Sequence, residues 1–277
     1  MKKIIAVFDG LAYSASTAQY AIQLAKNSDA YLVGVFLDDF TYHAYQLEGQ
    51  NYAQMLSERK VGEEKDKTTR NTAVGIFENS CREGGLNYSV HRDQSIATQE
   101  LLHESIYADL VVIDKNEAFN NFDRTIPTGF IRDLLVNAEC PVLIVPHKFK
   151  AIEKIILLYD GSPSSVYAVK MFSYLFPILK QQPTEVVSVR SASSNLHLPE
   201  NRLMKEFMKR HFPDAGYQVL QGDPETVIVQ HLKYRKQDEL LVLGAYQRSL
   251  TSRWFKPSMA DVLMKELKTP LFIAHNK

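Results

Sequence analysis

The sequence predicts an α/β fold class: two tandem open parallel five-stranded sheets flanked by helices. The chain has 277 residues, a length that suggests two domains of roughly 100–200 residues each. Short apolar runs alternate with helical patterns along the whole chain, which is typical of βαβ units and a parallel sheet. The pattern of the first half returns in the second half.

An internal repeat defines the domains. Residues 3–10 read KIIAVFDG and match residues 154–161, which read KIILLYDG. A period of roughly 130–150 residues is far longer than that of a solenoid repeat, so it indicates a duplicated domain. We therefore expect domain 1 over residues 1–148 and domain 2 over residues 149–277.

Near-continuous runs of Val, Ile and Leu indicate strands that are buried on both faces of a sheet. We expect strands at 3–8, 31–37, 87–91, 109–114 and 141–145, and again at 153–159, 185–189, 217–221, 239–243 and 270–274. Helical patterns lie near 14–27, 51–83, 96–106 and 129–138, and near 163–177, 199–211, 224–235 and 258–267.

Composition and motifs argue against several functional classes. Lys and Arg total 32, as do Asp and Glu, so no global field attracts nucleic acid or an anionic membrane. No stretch approaches the roughly 18 apolar residues of a membrane helix. The two cysteines have no metal spacing and fit a reducing compartment. We therefore expect a cytoplasmic protein. Because no HExxH, G-x-S-x-G or P-loop motif occurs either, we expect that it is not an enzyme.

The first strand of each half ends in an acidic residue followed by glycine. In an open parallel sheet, ligands bind beyond the carboxyl ends of the strands. Asp9-Gly10 and Asp160-Gly161 lie there. An Asp in this place can accept hydrogen bonds from a ribose or an adenine amine, or can cap the next helix. Its recurrence in both halves favours a site.

The loop after the fourth strand of the second half, residues 244–258, reads GAYQRSLTSRWFKPS. The chain resembles the universal stress protein family through this loop and the repeated strand pattern. Nucleotide-binding members carry a glycine, two residues, a glycine, nine residues and then Gly-Ser or Gly-Thr. The spacing is kept at Gly244, Gln247, Pro257 and Ser258, but two of the three glycines are replaced.

The first half keeps the same spacing without any of the glycines, at Asp114, Glu117, Pro127 and Thr128. Proline removes an N–H donor. Two like charges about 4 Å apart repel by roughly 4 kcal/mol at an effective dielectric near 20. That exceeds one charge-assisted hydrogen bond of about 1.5–3 kcal/mol. We predict that the first half does not bind ATP in the family's usual way.

The second half is predicted to hold a degenerate site for ATP or another adenine nucleotide. Ser258 can cap its helix, and a helix N-terminus attracts anions. Arg248 and its basic neighbours can replace the missing amide donors, or can belong to a solvated loop. The family position that contacts adenine through its backbone maps to Val189. The predicted cofactor-binding residues are Asp160, Gly161, Val189, Gly244, Arg248 and Ser258.

The resemblance implies an adenine nucleotide α-hydrolase-like, Rossmann-like fold and a regulatory role in a stress response. It also implies an intramolecular pseudo-dimer of the two halves, with the final strand of each half at an edge that pairs across the interface. A homodimer of chains stays open. Two alternatives remain: an interaction scaffold without nucleotide binding and, with less support, a weak ATPase.

Overall fold

A computed structural model describes residues 1–37, 52–93, 97–119, 125–191, 196–236, 238–245 and 258–276. The strands in these ranges are β1 (Lys3–Asp9), β2 (Tyr31–Leu37), β3 (Tyr88–Asp93), β4 (Leu110–Asp114), β5 (Val142–Val145), β6 (Lys154–Leu158), β7 (Thr184–Arg190), β8 (Gly216–Gln221), β9 (Glu239–Leu243) and β10 (Leu271–Ile273). The helices are α1 (Ala15–Ser28), α2 (Tyr52–Glu83), α3 (Ala97–Ser105), α4 (Gly129–Asn137), α5 (Pro163–Leu175), α6 (Asn201–His211), α7 (Pro224–Lys233) and α8 (Met259–Glu266), with a 3₁₀ turn at Leu179–Gln181.

The strands form one sheet in the order β3-β2-β1-β4-β5-β10-β9-β6-β7-β8. We call residues 1–148, with β1 to β5, half one, and residues 149–277, with β6 to β10, half two. All pairs within each half are parallel. The predicted α/β class is confirmed, and each half has its topological switch point between its first and fourth strands.

The halves meet through their last strands. β5 and β10 pair antiparallel, with Val142 opposite Ile273 and Leu143 opposite Phe272. The two five-stranded sheets that the sequence predicts are therefore joined into one ten-stranded sheet. The backbone groups of each short apolar edge find partners in the other half.

Helices cover both faces of the sheet. One buried cluster packs α1, α2, α5 and α6 on one face, and a second cluster packs α3, α4, α7 and α8 on the other. Phe272 is fully buried in the first cluster, with its ring 5.4 Å from that of Phe172 and 5.6 Å from that of Phe176. Because Phe272 lies on the strand that pairs with half one, it connects the core of half two to the junction.

Capping side chains set where several helices begin. Ser14, Thr128, Ser162 and Asp223 each accept a hydrogen bond from a backbone N–H in the first turn of the helix that follows. Such caps satisfy donors that have no partner inside the helix.

None of the helices in the described ranges combines the length and the apolar character that a membrane span requires.

We predict that Phe272→Ala lowers the free energy of unfolding by about 3–5 kcal/mol, because it leaves a cavity beside the junction. Urea denaturation measures the change. Ile76→Ala, at a side chain that is 45% exposed, is the control and should stay within about 0.5 kcal/mol of the native chain. Equal effects of the two substitutions would contradict this account of the junction.

Candidate functional site

The predicted site residues of half two converge at one edge of the sheet. Asp160 and Gly161 follow β6, Gly244 follows β9, and Val189 lies near the end of β7. Because β6 pairs with both β7 and β9 in parallel, the carboxyl ends of these strands face one crevice. Arg248 lies outside the described residues.

Asp160 holds an ionised carboxylate at the start of this crevice. Its Oδ1 accepts a hydrogen bond of 2.9 Å from the backbone N–H of Ser162. Burial raises the pKa of Asp160, but hydrogen bonds from Ser162 and Ser165 outweigh that effect, and the net pKa is lowered. An anionic acceptor in this place can bind ribose hydroxyls or an amine.

Gly161 is required by the turn that follows β6. Its φ is +87°, and a Cβ atom there would lie 2.6 Å from Cβ of Pro199. The hydroxyl of Tyr159 donates a 3.0 Å hydrogen bond to the carbonyl of Pro199. The segment before α6 is thereby held against the crevice loop.

Gly244 has a packing role that the sequence did not reveal. A Cβ atom there would lie 2.4 Å from the backbone carbonyl and from Oγ of Ser164, in the first turn of α5. The start of α5 therefore needs a glycine at the end of β9, whatever binds nearby. Ser164 is 4% exposed, and its Oγ has no hydrogen-bond partner among the residues that the structure describes.

The length of the loop after the first strand explains why half one has Asp114 where half two has Gly244. α5 begins three residues after Asp160, whereas α1 begins six residues after Asp9. The longer turn of half one leaves room for the side chain of Asp114, whose Oδ2 accepts a 3.1 Å hydrogen bond from Oγ of Ser14. The sequence signal for this contact is the longer spacing from Asp9 to the capping Ser14 than from Asp160 to the capping Ser162.

Ser258 differs from the prediction that it caps its helix. It occupies the N-cap position of α8 with extended backbone angles, but its side chain accepts no capping hydrogen bond. In half one, Oγ1 of Thr128 accepts from the N–H of Ile131 at 3.2 Å and donates to the carbonyl of Glu117 at 2.5 Å. The hydroxyl of Ser258 therefore has no corresponding capping role.

Acidic side chains fill the corresponding crevice of half one. Asp114 and Glu117 are 3% and 7% exposed. Burial, and then the nearby carboxylates of Asp9 and Asp114, raise the pKa of Glu117 well above its ordinary value. The sequence prediction treated Glu117 as charged. The structure adds that Glu117 is buried and that its raised pKa favours the protonated form, so it fills the crevice with volume more than with charge.

Metal chemistry has no visible support in this region. Imidazole Nδ1 of His147 lies 3.8 Å from Oδ2 of Asp114. In the part of the chain that the structure describes, no three His, Cys, Asp or Glu side chains form a group that could hold a metal ion.

Sequence reasoning missed two contacts that cross between the halves. Nζ of Lys115 donates to the carbonyls of Met264 and Leu267 at 2.8 and 3.1 Å. Nε of Arg132 lies 3.6 Å from a carboxylate oxygen of Asp261. No local pattern could reveal them, because the partners are brought together only when β5 pairs with β10.

We predict that Gly244→Ala lowers the free energy of unfolding by about 1–3 kcal/mol, because it overpacks the contact with Ser164. The matched control is Gly75→Ala in α2, where a Cβ atom has nothing within 4 Å. That control should gain about 0.5–1 kcal/mol, since alanine favours a helix interior. Thermal unfolding compares the two, and a neutral Gly244→Ala would contradict the packing role.

We predict that Glu117→Gln stabilises the fold, increasingly so as the pH rises above 4.5, the ordinary value for this carboxyl. Below that pH the carboxyl is protonated in the folded and the unfolded chain, so its ionisation does not change the free energy of unfolding. Above it the unfolded chain ionises first, and stability falls by about 1.4 kcal/mol for each unit of pKa displacement. Urea denaturation at pH 5 and pH 8 measures this, with the exposed Glu153→Gln as control. A variant less stable than the native chain at pH 8 would refute it.

The chain is similar to known proteins in sequence and in fold. The model of the universal stress protein family matches residues 1–146. No curated protein matches the chain. Among solved structures, a universal stress protein from Archaeoglobus fulgidus DSM 4304 has a TM-score of 0.71 and 13% identity, with 99% of this chain and 98% of that chain covered.

Two further structures illustrate the range of similarity. A protein of unknown function from Pseudomonas aeruginosa PAO1 has a TM-score of 0.59 and 14% identity, with 99% of this chain and 92% of that chain covered. A universal stress protein in complex with cAMP has a TM-score of 0.37 and 18% identity, with 46% of this chain and 100% of that chain covered. The family match spans more than half of the sequence. The chain therefore belongs to the universal stress protein family.

Proposed function

We propose that this chain is a stress-response regulatory protein that binds an adenine nucleotide in half two and none in half one, without catalysis. The observation that carries the proposal is the asymmetry between two crevices of the same topology. Half two presents Gly244 where half one presents the buried Asp114. In half two the hydroxyl of Ser258 makes no capping hydrogen bond, whereas the hydroxyl of Thr128 both accepts one and donates one.

The crevice of half two suits the sugar and phosphates of a nucleotide. The ionised carboxylate of Asp160 is an acceptor for hydroxyl or amine donors. Ser258 lies at the N-terminus of α8, and the positive end of a helix dipole favours an anion. Gly161 and Val189 border the same edge, and Arg248 follows Gly244 by four residues in the chain.

The crevice of half one lacks these properties. The buried side chains of Asp114 and Glu117 stand at the positions that correspond in sequence to Gly244 and Gln247 of half two. An acidic, filled crevice disfavours a phosphate on both steric and electrostatic grounds. We therefore assign half one a structural and regulatory part.

An interaction scaffold without nucleotide binding is the second candidate. Gly244 has a reason to be glycine that involves no ligand, since it packs on Ser164. Pro199 also lies against Gly161 at the crevice loop. The scaffold predicts that no adenine nucleotide binds at all, which separates it from the first proposal.

A weak ATPase is the third candidate and the least supported. Among the described residues of half two, no three His, Cys, Asp or Glu side chains form a group that could hold a metal ion. We propose that the protein does not turn over ATP, and the cytoplasmic location stays a prediction. An ATP turnover assay tests the first of these statements.

We predict that Asp160→Ala weakens ATP binding about tenfold or more, because it removes charge-assisted hydrogen bonds of about 1.5–3 kcal/mol. Asp9→Ala, the same change at the corresponding position of half one, is the matched control and should leave affinity unchanged. Isothermal titration with ATP, ADP, AMP and cAMP measures both, and mass spectrometry identifies any nucleotide released from the purified native chain.

The outcomes separate the candidates. An equal loss in both variants would overturn the assignment of the site to half two. No heat with any of the four nucleotides, and no released nucleotide, would favour the scaffold. ATP turnover that Asp160→Ala abolishes would favour the enzyme.

A further inference from the structure

Helix α8 is a short helix of half two whose two ends are contacted by cations of half one. Its N-terminus is the anion-binding end in the proposed site. We propose that Lys115 and Arg132 are positioning residues through which half one sets the orientation and anion affinity of α8. This inference rests on the proposed function of half two.

Lys115 reaches the C-terminal end of α8. Its Nζ donates to the carbonyls of Met264 and Leu267, which belong to the last turn and the cap of the helix. The last carbonyls of a helix have no partner inside it. An ammonium there satisfies them and complements the negative end of the helix dipole.

The position of Lys115 is held from within half one. Lys115 follows Asp114, and its backbone N–H donates a 3.0 Å hydrogen bond to the carbonyl of Val145 on β5. Burial lowers the pKa of Lys115, and the carboxylate of Asp114 opposes this by favouring the charged form. The acid that replaces a glycine in half one thus helps to keep a cation at the end of α8.

Arg132 contacts the other end of the same helix. Asp261 lies in the first turn of α8, and Nε of Arg132 is 3.6 Å from its carboxylate. Asp261 has 14% of its side chain exposed, and Arg132 has 49%. A carboxylate so near the helix N-terminus repels an incoming anion. Arg132 offsets that repulsion, although a partly exposed pair contributes modestly.

The position that corresponds to Lys115 carries a different residue in half two. The repeat places Ala245 where half one has Lys115, and the methyl side chain of alanine cannot donate a hydrogen bond to the C-terminal end of α4. That end of α4 instead borders a cavity lined by Ala138, Cys140, Tyr167 and His275, among others. Half one therefore positions a helix of half two, whereas half two does not position α4 in return by this contact.

The test compares Lys115→Met, Lys115→Arg and Arg132→Gln with the native full-length chain, and the exposed Lys148→Met is the control. ATP affinity is measured by titration at low salt, and hydrogen exchange is measured for the amides of residues 259–266. Amides of β1 serve as the reference for global unfolding. Arg132→Gln keeps the test usable if Lys115→Met does not fold.

We expect Lys115→Met to weaken ATP binding about threefold to tenfold and to speed exchange in α8 but not in β1, because it removes the cation at the helix end. Arg132→Gln should do the same more weakly. Lys115→Arg, which keeps the charge, should retain most of the affinity, and Lys148→Met should behave as native. Unchanged exchange in α8 in both Lys115→Met and Arg132→Gln would overturn the inference.

The two proposals fail in different ways. If the native chain binds ATP and the variants bind it equally well, the positioning role is wrong and the nucleotide site stands. If the native chain binds no ATP, the nucleotide proposal is wrong. Faster exchange of α8 in Lys115→Met then still supports the control of this helix by half one, and unchanged exchange refutes it.

Discussion

The antiparallel pairing of β5 with β10 is the constraint on which the rest of the molecule depends. It joins Leu143 to Phe272 at the centre of a ten-stranded sheet. Each half alone would expose a short apolar edge, and hydrogen bonds across the junction remove that liability. The pairing also brings the fourth-strand loop of half one to α8 of half two, so that Lys115 can reach a helix that follows it by well over one hundred residues.

The same topology produced two unlike crevices. In half two, a short turn after Asp160 brings α5 against the end of β9, and only glycine fits at position 244. In half one, a turn three residues longer releases that constraint, and Asp114 occupies the space. Burial, and then the carboxylates of Asp9 and Asp114, raise the pKa of the neighbouring Glu117. This difference in loop length explains why position 244 needs a glycine whereas position 114 accommodates an aspartate.

Division of labour between the halves follows from this difference. The crevice that lost its glycines is adjacent to Lys115, and Lys115 caps a helix of the crevice that kept one. Under the proposed function, the half that binds no nucleotide supports the half that does. Fusion in one chain allows such a contact to be one-sided, because the two halves can change independently.

Much of the fold could be predicted from the sequence. Each predicted strand and helix lies within two residues of its observed bounds, because buried strands and amphipathic helices carry their period locally. The repeat also predicted the crevice with Asp160 and Gly244, and the spacing of the loop after Gly244 carried the resemblance to the family. Prediction was weaker for side chains: the capping role expected of Ser258 was wrong, and the packing of Gly244 on Ser164 was not foreseen.

The sequence by itself determined the α/β class, the duplication, the family and which half retains a glycine at the crevice. Tertiary structure decided that the two sheets are one, that Glu117 is buried among acids, and that Lys115 and Arg132 contact α8. The physical reason is that periodicity and turn chemistry act between residues near in sequence. Burial, clashes and ion pairs depend on which distant segments the strand pairing places side by side.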